Sequence, residues 1–568
     1  MYGAAPGGFD QSLEEQMTQK KKINAAQLLV KCLENEGVDY IFGIPGEENI
    51  AVMDALLDST IEFVTTRHEQ GAAFMADVHG RLTGRAGVCM STLGPGATNL
   101  VTGFADANMD RAPIVAIAGQ GSTTRLHKES HQILDLVNLF APISKYSVQV
   151  LMPEIVPEVV RKAFKFAEAE KPGGAFIDFP ENVGDMEIDE LPPLKVQAPQ
   201  PPVAPLGIGK KVIKLLNEAK HPVVIAGNGV IRFDACKELV DFAEAANAPV
   251  ATTFMAKGAM PSSHPLSIGT VGLKAHDLVA FGIEQADLVI CVGLDMVEYD
   301  PNHWNPNADI KIINVDASPA EVDTHYIPEI GMIGDIKDSL KRLAKRCTGH
   351  SDNKVAKLHD KIKAELNAHA DDNSFPPKPQ KIISDLRVAM NDEDIVISDV
   401  GAHKMWMARM FQAEQPNTCI ISNGFASMGI ALPGTIAAKL IYPEKNILAV
   451  AGDSGFMMNS QEIETAMRLG LNITVLIFND NKYGLIEWHQ LREYGRSSHI
   501  DVGNADFVKF AESFGAKGYR IEKTEDLLST IETAMNDGTV SIIDCPVDYS
   551  ENMKLTARLK TLSSPFEE

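Results

Sequence analysis

From Ile23 to about residue 546 the chain alternates two hydrophobic patterns. Stretches such as AAQLLVKCLENEG space their apolar residues as a helix would, and Gly37 follows as a stop signal. Between them stand short, continuous apolar runs, among them YIFGI, GVCMSTLG and APIVAIAG. Runs that are apolar at consecutive positions suit parallel strands covered on both faces. Strand alternating with helix therefore predicts α/β units. Residues 1–21 break the pattern: Gly-rich, then Gln-rich and charged with few apolar anchors, they read as a disordered tail.

The alternation falls into three blocks. FIDFPENV closes the first, because residues 191–205 then hold six prolines, which continue neither a helix nor a central strand. This places an α/β domain at 22–190 and a Pro-rich linker at 191–206. HPVVIAGNG, PVATTF, ADLVICVGL and IKIINVD are the strand candidates of a central domain at 207–344. The charged stretch from Lys345 to Asn373, followed by FPPKPQ, reads as a helical linker at 345–379. DIVISDVG, TCIISNG, KNILAVAGDSG, ITVLIFND and VSIIDCPV then belong to a third domain at 380–550, with a C-terminal tail at 551–568. The first and third blocks resemble one another in the order of their elements. The fold expected is α/β, with three doubly wound parallel-sheet domains.

Composition narrows the function classes. A formal charge of −24 argues against a broad grip on nucleic acid, which depends on Lys and Arg neutralising phosphates. No apolar run reaches the ~18–20 residues of a membrane span, and no apolar segment follows Lys20, Lys21 and Lys22 as in a secretory signal. A cytoplasmic chain with no membrane partner is expected. Its seven cysteines are scattered, without a CxxC pair or zinc-like His spacing, and read as free thiols in a reducing compartment.

The chemistry concentrates in the third block. One strand candidate, ILAVAG, runs into Gly452, Asp453, Ser454 and Gly455, and another, ITVLIF, leads into Asn479 and Asp480, with twenty-four residues (455–478) between Ser454 and Asn479. Doubly wound sheets bind ligands beyond the carboxyl ends of their strands, so both clusters arrive at one rim. Asp453 and Asp480 are hard oxygen ligands suited to Mg²⁺, and Gly452 and Gly455 allow close backbone approach. A helix starting near Met458 would turn its amides to phosphate. Alone, GDSG would serve equally as a turn and Asn479 as a helix cap.

The spacing resembles the thiamine diphosphate signature, GDG followed some two dozen residues later by NN, with GDS and ND here. Further segments are similar to the acetolactate synthase branch: FGIPG (42–46), FVTTRHEQGAAFMADVHGRLTG (63–84), STLGPGATNL (91–100), SHQILDLVNLFAPISKY (130–146), VEYDPNHWNP (297–306), DVGAHKMW (399–406) and SNGFASMGIALPG (422–434). The resemblance covers roughly residues 23 to 550. It implies pyrimidine-binding, central and diphosphate-binding domains, with thiamine diphosphate and Mg²⁺ as cofactors.

By the same resemblance Mg²⁺ takes Asp453, Asp480 and the main-chain carbonyl of Lys482. Glu69 is the carboxylate against N1′ of the aminopyrimidine. His403 and Ser454 contact the diphosphate, Met428 wedges the cofactor into its bent form, and the Ala426 carbonyl receives the 4′-amino group. Gln132 and His489 fall on the substrate side. Pro45, Gly46, Gly94, Asn99, Ala402, Gly424, Gly452, Gly455, Tyr483, Leu485 and Ile486 complete the cofactor-binding set. The implied reaction decarboxylates pyruvate and joins the product to a second 2-keto acid, in a homodimer or a dimer of dimers with no regulatory subunit. A 2-keto acid decarboxylase or another carboligase on the same fold is the alternative, and a non-catalytic nucleotide-binding protein the remote one.

Two departures bear on cofactor and substrate. The flavin-binding branch carries an Arg-Phe-Asp-Asp-Arg type segment where this chain reads GLDMVEYDP, and a tryptophan where it has His489 beside Trp488, so FAD is not expected. The catabolic branch resembles GIPGAK where this chain reads GIPGEE, with Glu48 at the lysine position.

Overall fold

The computed structural model describes residues 21–197, 200–272, 277–349 and 353–553. The expected terminal tails lie almost wholly outside these residues. Three six-stranded sheets, parallel throughout, order the chain. The first runs Glu62–Thr65, Tyr40–Gly43, Gly87–Ser91, Ile114–Gln120, Gly174–Pro180, Tyr146–Gln149. The third has the same order relative to the chain: Cys419–Ile421, Ile395–Ser398, Ile447–Gly452, Thr474–Asn479, Ser541–Pro546, Lys517–Arg520. The central sheet differs, running Ser267–Thr270, Val250–Thr252, Pro222–Ala226, Leu288–Val292, Lys311–Asp316, Ile330–Ile333. An antiparallel pair, Lys22–Asn24 with Glu187–Asp189, ties the start of the first domain to its end.

The apolar runs are strands because both faces are covered: Gly87–Ser91 and Ile114–Gln120 are buried at every position. Helices between them are bounded by local chemistry. Asn24 caps Ala25–Glu36 in a reciprocal bond with Gln27, and Gly37 ends it in the left-handed conformation, φ 76°. The charged stretch read as a connector is partly core: Val355, and Leu358 and Ile362 of the helix Leu358–Asn367, pack with Ile225, Ala251 and Ile268 of the central sheet.

The first and third domains share a core. Helix Glu69–Thr83 lies against Ala431–Ile441, with Phe74 and Val78 meeting Ile436 and Ala437 in one cluster. Gly434 permits the approach, since a Cβ there would sit 2.7 Å from Val78 Cγ2. Among the described residues no helix is long and apolar enough to cross a membrane.

Candidate active site

The third sheet reverses its order between Ile395–Ser398 and Ile447–Gly452, and a doubly wound sheet binds ligands beyond the strand ends at such a point. A cavity of about 250 Å³ lies there. Three helices start on its wall, Ala402–Met410, Asp453–Asn459 and Gly484–Tyr494, and none has a side-chain cap bond. Uncapped first turns leave amide donors, and helix dipoles favour an anion beside them. The helix expected near Met458 in fact starts at Asp453: Gly452 is extended, so the strand turns directly into the helix and the first turn carries residues 453–455.

Two side chains on this wall lack partners. His403 Nε2 and Ser454 Oγ are buried without a hydrogen bond among the described residues. Burial pushes the His403 imidazole down to about 3, so the ring is neutral at physiological pH. Gly401 and Gly452 make room for that ring: a Cβ would stand 2.8 Å and 3.2 Å from its Cε1. On the same wall, Asp453 and Asp480 bring two carboxylates together. Burial and then the Asp453 charge push Asp480 up to about 7. The nearby Lys482 ammonium is spent on Glu487, at 2.8 Å. Two carboxylates with unpartnered polar groups beside them form a seat for a cation carrying an anion.

Beneath the cavity, Asp399 accepts the amides of Val400 at 2.7 Å and Gly429 at 2.8 Å, fixing two loops at once. Asn504 bridges Asp453 Oδ2, Asn479 Oδ1 and Asn481 Oδ1 at 2.7, 3.2 and 3.0 Å. Glu69 lies in the first domain, at the start of its helix, 8% exposed and accepting Asn99 Nδ2 at 3.0 Å. The loop before it is held by Glu462 of the third domain, which accepts Arg67 N at 3.1 Å and His68 N at 3.0 Å.

The chain matches the thiamine pyrophosphate enzyme N-terminal TPP binding domain over residues 23–139, the central domain over 210–343 and the C-terminal TPP binding domain over 399–545. A relative from Bacillus subtilis (strain 168), named acetolactate synthase, is 39% identical over 94% of this chain and 95% of its own length. The chain belongs to the acetolactate synthase family of thiamine pyrophosphate enzymes. A probable acetolactate synthase large subunit of Methanocaldococcus jannaschii is 35% identical, covering 96% of each chain. A catabolic acetolactate synthase of Raoultella terrigena is 34% identical over 95% of this chain and 98% of its own.

Of the residues that the family resemblance singles out, the cavity gathers Ala402, His403, Ala426, Met428 and, from the first turn after the strand, Gly452, Asp453, Ser454 and Gly455. It also gathers Asp480, Lys482, Tyr483, Leu485 and Ile486. Pro45, Gly46, Glu69, Gly94, Asn99 and Gln132 belong to the first domain, which contributes nothing to this wall. Gln132 stands by Gly94, where a Cβ would lie 2.9 Å from its carbonyl oxygen. His489 sits on Gly484–Tyr494 but outside the wall, its Nδ1 3.3 Å from Arg492. Gly424 gives its amide to Asp110 rather than to the cavity. Sequence reasoning missed Asp399, Asn504 and the wall residue Tyr549. Asp399 stood in a recognised segment without a role, whereas Asn504 arrives from a loop with no motif of its own.

In this family the central sheet raises the flavin question. Its order reverses between Pro222–Ala226 and Leu288–Val292, and there Glu298 accepts Asn228 N at 3.1 Å, Asp295 N at 3.1 Å and Thr253 Oγ1 at 2.5 Å. Glu298 is thus taken up by the chain's own amides and hydroxyl at the strand ends where a doubly wound sheet would take a ligand.

Proposed function

We propose that this chain is a thiamine diphosphate- and Mg²⁺-dependent acetolactate synthase, decarboxylating pyruvate and joining the two-carbon unit to a second 2-keto acid. The observation that carries the reading is the pair of orphaned buried groups, His403 Nε2 and Ser454 Oγ, lining one cavity with two carboxylates. They suit a diphosphate: the Ser454 hydroxyl can donate to its oxygens, and the charge of the anion favours a second proton on the His403 ring, with which Nε2 donates as well. Among the described residues no group of three or more His, Cys, Asp or Glu could hold a metal. The pair Asp453 and Asp480 suits Mg²⁺, which uses one or two carboxylates and completes its shell with phosphate and water. Asp453, Asp480 and the Lys482 carbonyl are the proposed ligands.

Thiamine diphosphate, when bound, would supply the nucleophilic carbon and the electron sink that decarboxylation of a 2-keto acid requires. The chain's work is positioning and proton management. The Ala426 carbonyl and Met428 orient the aminopyrimidine, and Glu69, steadied by Asn99, shares a proton with N1′. Gln132 and His489 are assigned to the substrate side.

Because the cavity wall lacks any first-domain residue, Glu69 reaches the cofactor of a second copy in this reading, and the working unit is a homodimer or larger. Phe425, Met457 and Met458 are exposed near the cavity, as a face awaiting a second copy would be. We place the enzyme in the cytoplasm and without FAD. The test is incubation of the purified chain with pyruvate, cofactor and Mg²⁺. Acetolactate, read as acetoin after acid, supports the reading; acetaldehyde as the product makes the chain a decarboxylase. Sedimentation of the active species as a monomer would refute the shared site.

A further inference from the structure

The first domain reaches the cavity of its own chain by a route that does not involve Glu69. Arg81, on Glu69–Thr83, binds Asp77 Oδ1 at 2.7 Å, Asp106 Oδ2 at 2.8 Å and Asp110 Oδ2 at 2.9 Å. All three aspartates are fully buried. One guanidinium against three carboxylates leaves acceptor oxygens to satisfy, and buried acceptors need donors. The third domain supplies them from one short segment. Ser422 Oγ donates to Asp106 Oδ1 at 2.8 Å and Ser427 N to the same oxygen at 3.2 Å. Asn423 N donates to Asp110 Oδ2 at 3.0 Å and Gly424 N to Asp110 Oδ1 at 2.5 Å.

This segment carries Ala426, held at φ 58°, and runs into Met428, both on the cavity wall. A left-handed alanine persists only where its surroundings over-determine it. The bonds to Asp106 and Asp110 bracket it, at 422–424 on one side and 427 on the other. Position 424 must be glycine for the clamp to close, because a Cβ would lie 2.5 Å from Asp110 Oδ1.

We propose that Asp106 and Asp110 are positioning residues for the cofactor, fixing the segment 422–427 so that the Ala426 carbonyl and Met428 keep their places on the cavity wall. The inference rests on the reading of this cavity as the thiamine diphosphate site. It gives the first domain two tasks: Glu69 for a partner's cofactor, and the buried aspartates for its own chain's.

The experiment compares Asp110→Asn and Asp106→Asn with Asp77→Asn, which alters the same ion cluster but, among the described residues, makes no hydrogen bond to the segment. Thiamine diphosphate with Mg²⁺ is titrated into each full-length protein by intrinsic fluorescence, and the near-ultraviolet circular dichroism of the bound aminopyrimidine is recorded at saturation. Asp110→Asn is expected to raise the cofactor Kd about 10- to 100-fold, the loss typical of hydrogen bonds to an ionised group. Its dichroism band should change, while Asp77→Asn lowers the melting temperature and leaves Kd within about twofold of wild type. If Asp110→Asn does not fold, Ser422→Ala removes one donor from the other side of the clamp and should raise Kd about three- to tenfold. Wild-type affinity and dichroism in the folded clamp variants, or equal weakening by Asp77→Asn, would overturn the proposal. A wild-type protein that does not bind thiamine diphosphate would instead overturn the reading of the cavity.

Discussion

His403→Phe separates binding from packing. The ring is 2% exposed, sits 6.0 Å from Phe478 between the spaces left by Gly401 and Gly452, and is uncharged. Phenylalanine keeps the planar ring and removes both nitrogens. Removing the orphaned Nε2 relieves about 1–3 kcal/mol of buried, unsatisfied polarity. Losing the bond to the Asp399 main chain costs about 1 kcal/mol. The cofactor-free protein should therefore melt close to wild type or slightly above it. The diphosphate, by contrast, loses a donor to a charged oxygen, about 1.5–3 kcal/mol, so its Kd should rise about 10- to 100-fold. Scanning fluorimetry of the cofactor-free protein and isothermal titration with thiamine diphosphate and Mg²⁺ read the two quantities independently. A destabilised His403→Phe protein with unchanged affinity would refute the argument and make the ring ordinary core.

Glu69→Gln keeps the shape and the Asn99 contact but removes the shared proton, so kcat should fall about 10²- to 10⁴-fold with cofactor binding intact; fast C2 proton exchange of bound cofactor in the folded variant would remove Glu69 from the mechanism. Asp453→Ala should abolish turnover and weaken cofactor and Mg²⁺ binding together, and near-normal turnover would defeat the metal assignment. Asp178 gives a pH test: burial pushes its carboxyl up to about 7, from 3.8. The folded state then holds a proton that the unfolded chain has lost, so stability falls as pH rises across that window, by roughly 4 kcal/mol in all. The melting-temperature advantage of Asp178→Asn should accordingly widen between pH 4 and 7 and level off above; a constant difference would contradict it.

The strands legible in the sequence are the central ones. ILAVAG, ITVLIF and LVICV announce themselves because both faces are covered, so every position can be apolar. Tyr146–Gln149 and Lys517–Arg520 were missed, and both lie at sheet edges with partly exposed, polar sequences, YSVQ and KGYR. Such strands owe their state to the neighbour they pair with, not to their own pattern. The helix Leu358–Asn367 was legible as a helical connector but not as part of the core, for a related reason. Its apolar stripe is narrow, with Leu358 and Ile362 buried among Lys and Glu, and only the central sheet gives that stripe a surface to cover.

The site divides along the same line. That Asp453 and Asp480 meet at one cavity was readable because topology alone brings strand ends to one rim. Residues that act through another domain were not. Asp106 and Asp110 look, in sequence, like the polar side of a helix in TGFADANMD, yet they are fully buried because Arg81 and four donors from the segment 422–427 meet them there. Burying a carboxylate is costly unless it is paired and hydrogen-bonded, and no local pattern shows whether partners exist some 300 residues away in sequence. The converse holds for Glu69. Its segment was readable, but which cavity it serves depends on how chains assemble, and the cavity of its own chain is walled without it. A motif identifies the chemistry a residue can do, while the packing between domains and between copies decides which cofactor it does it for.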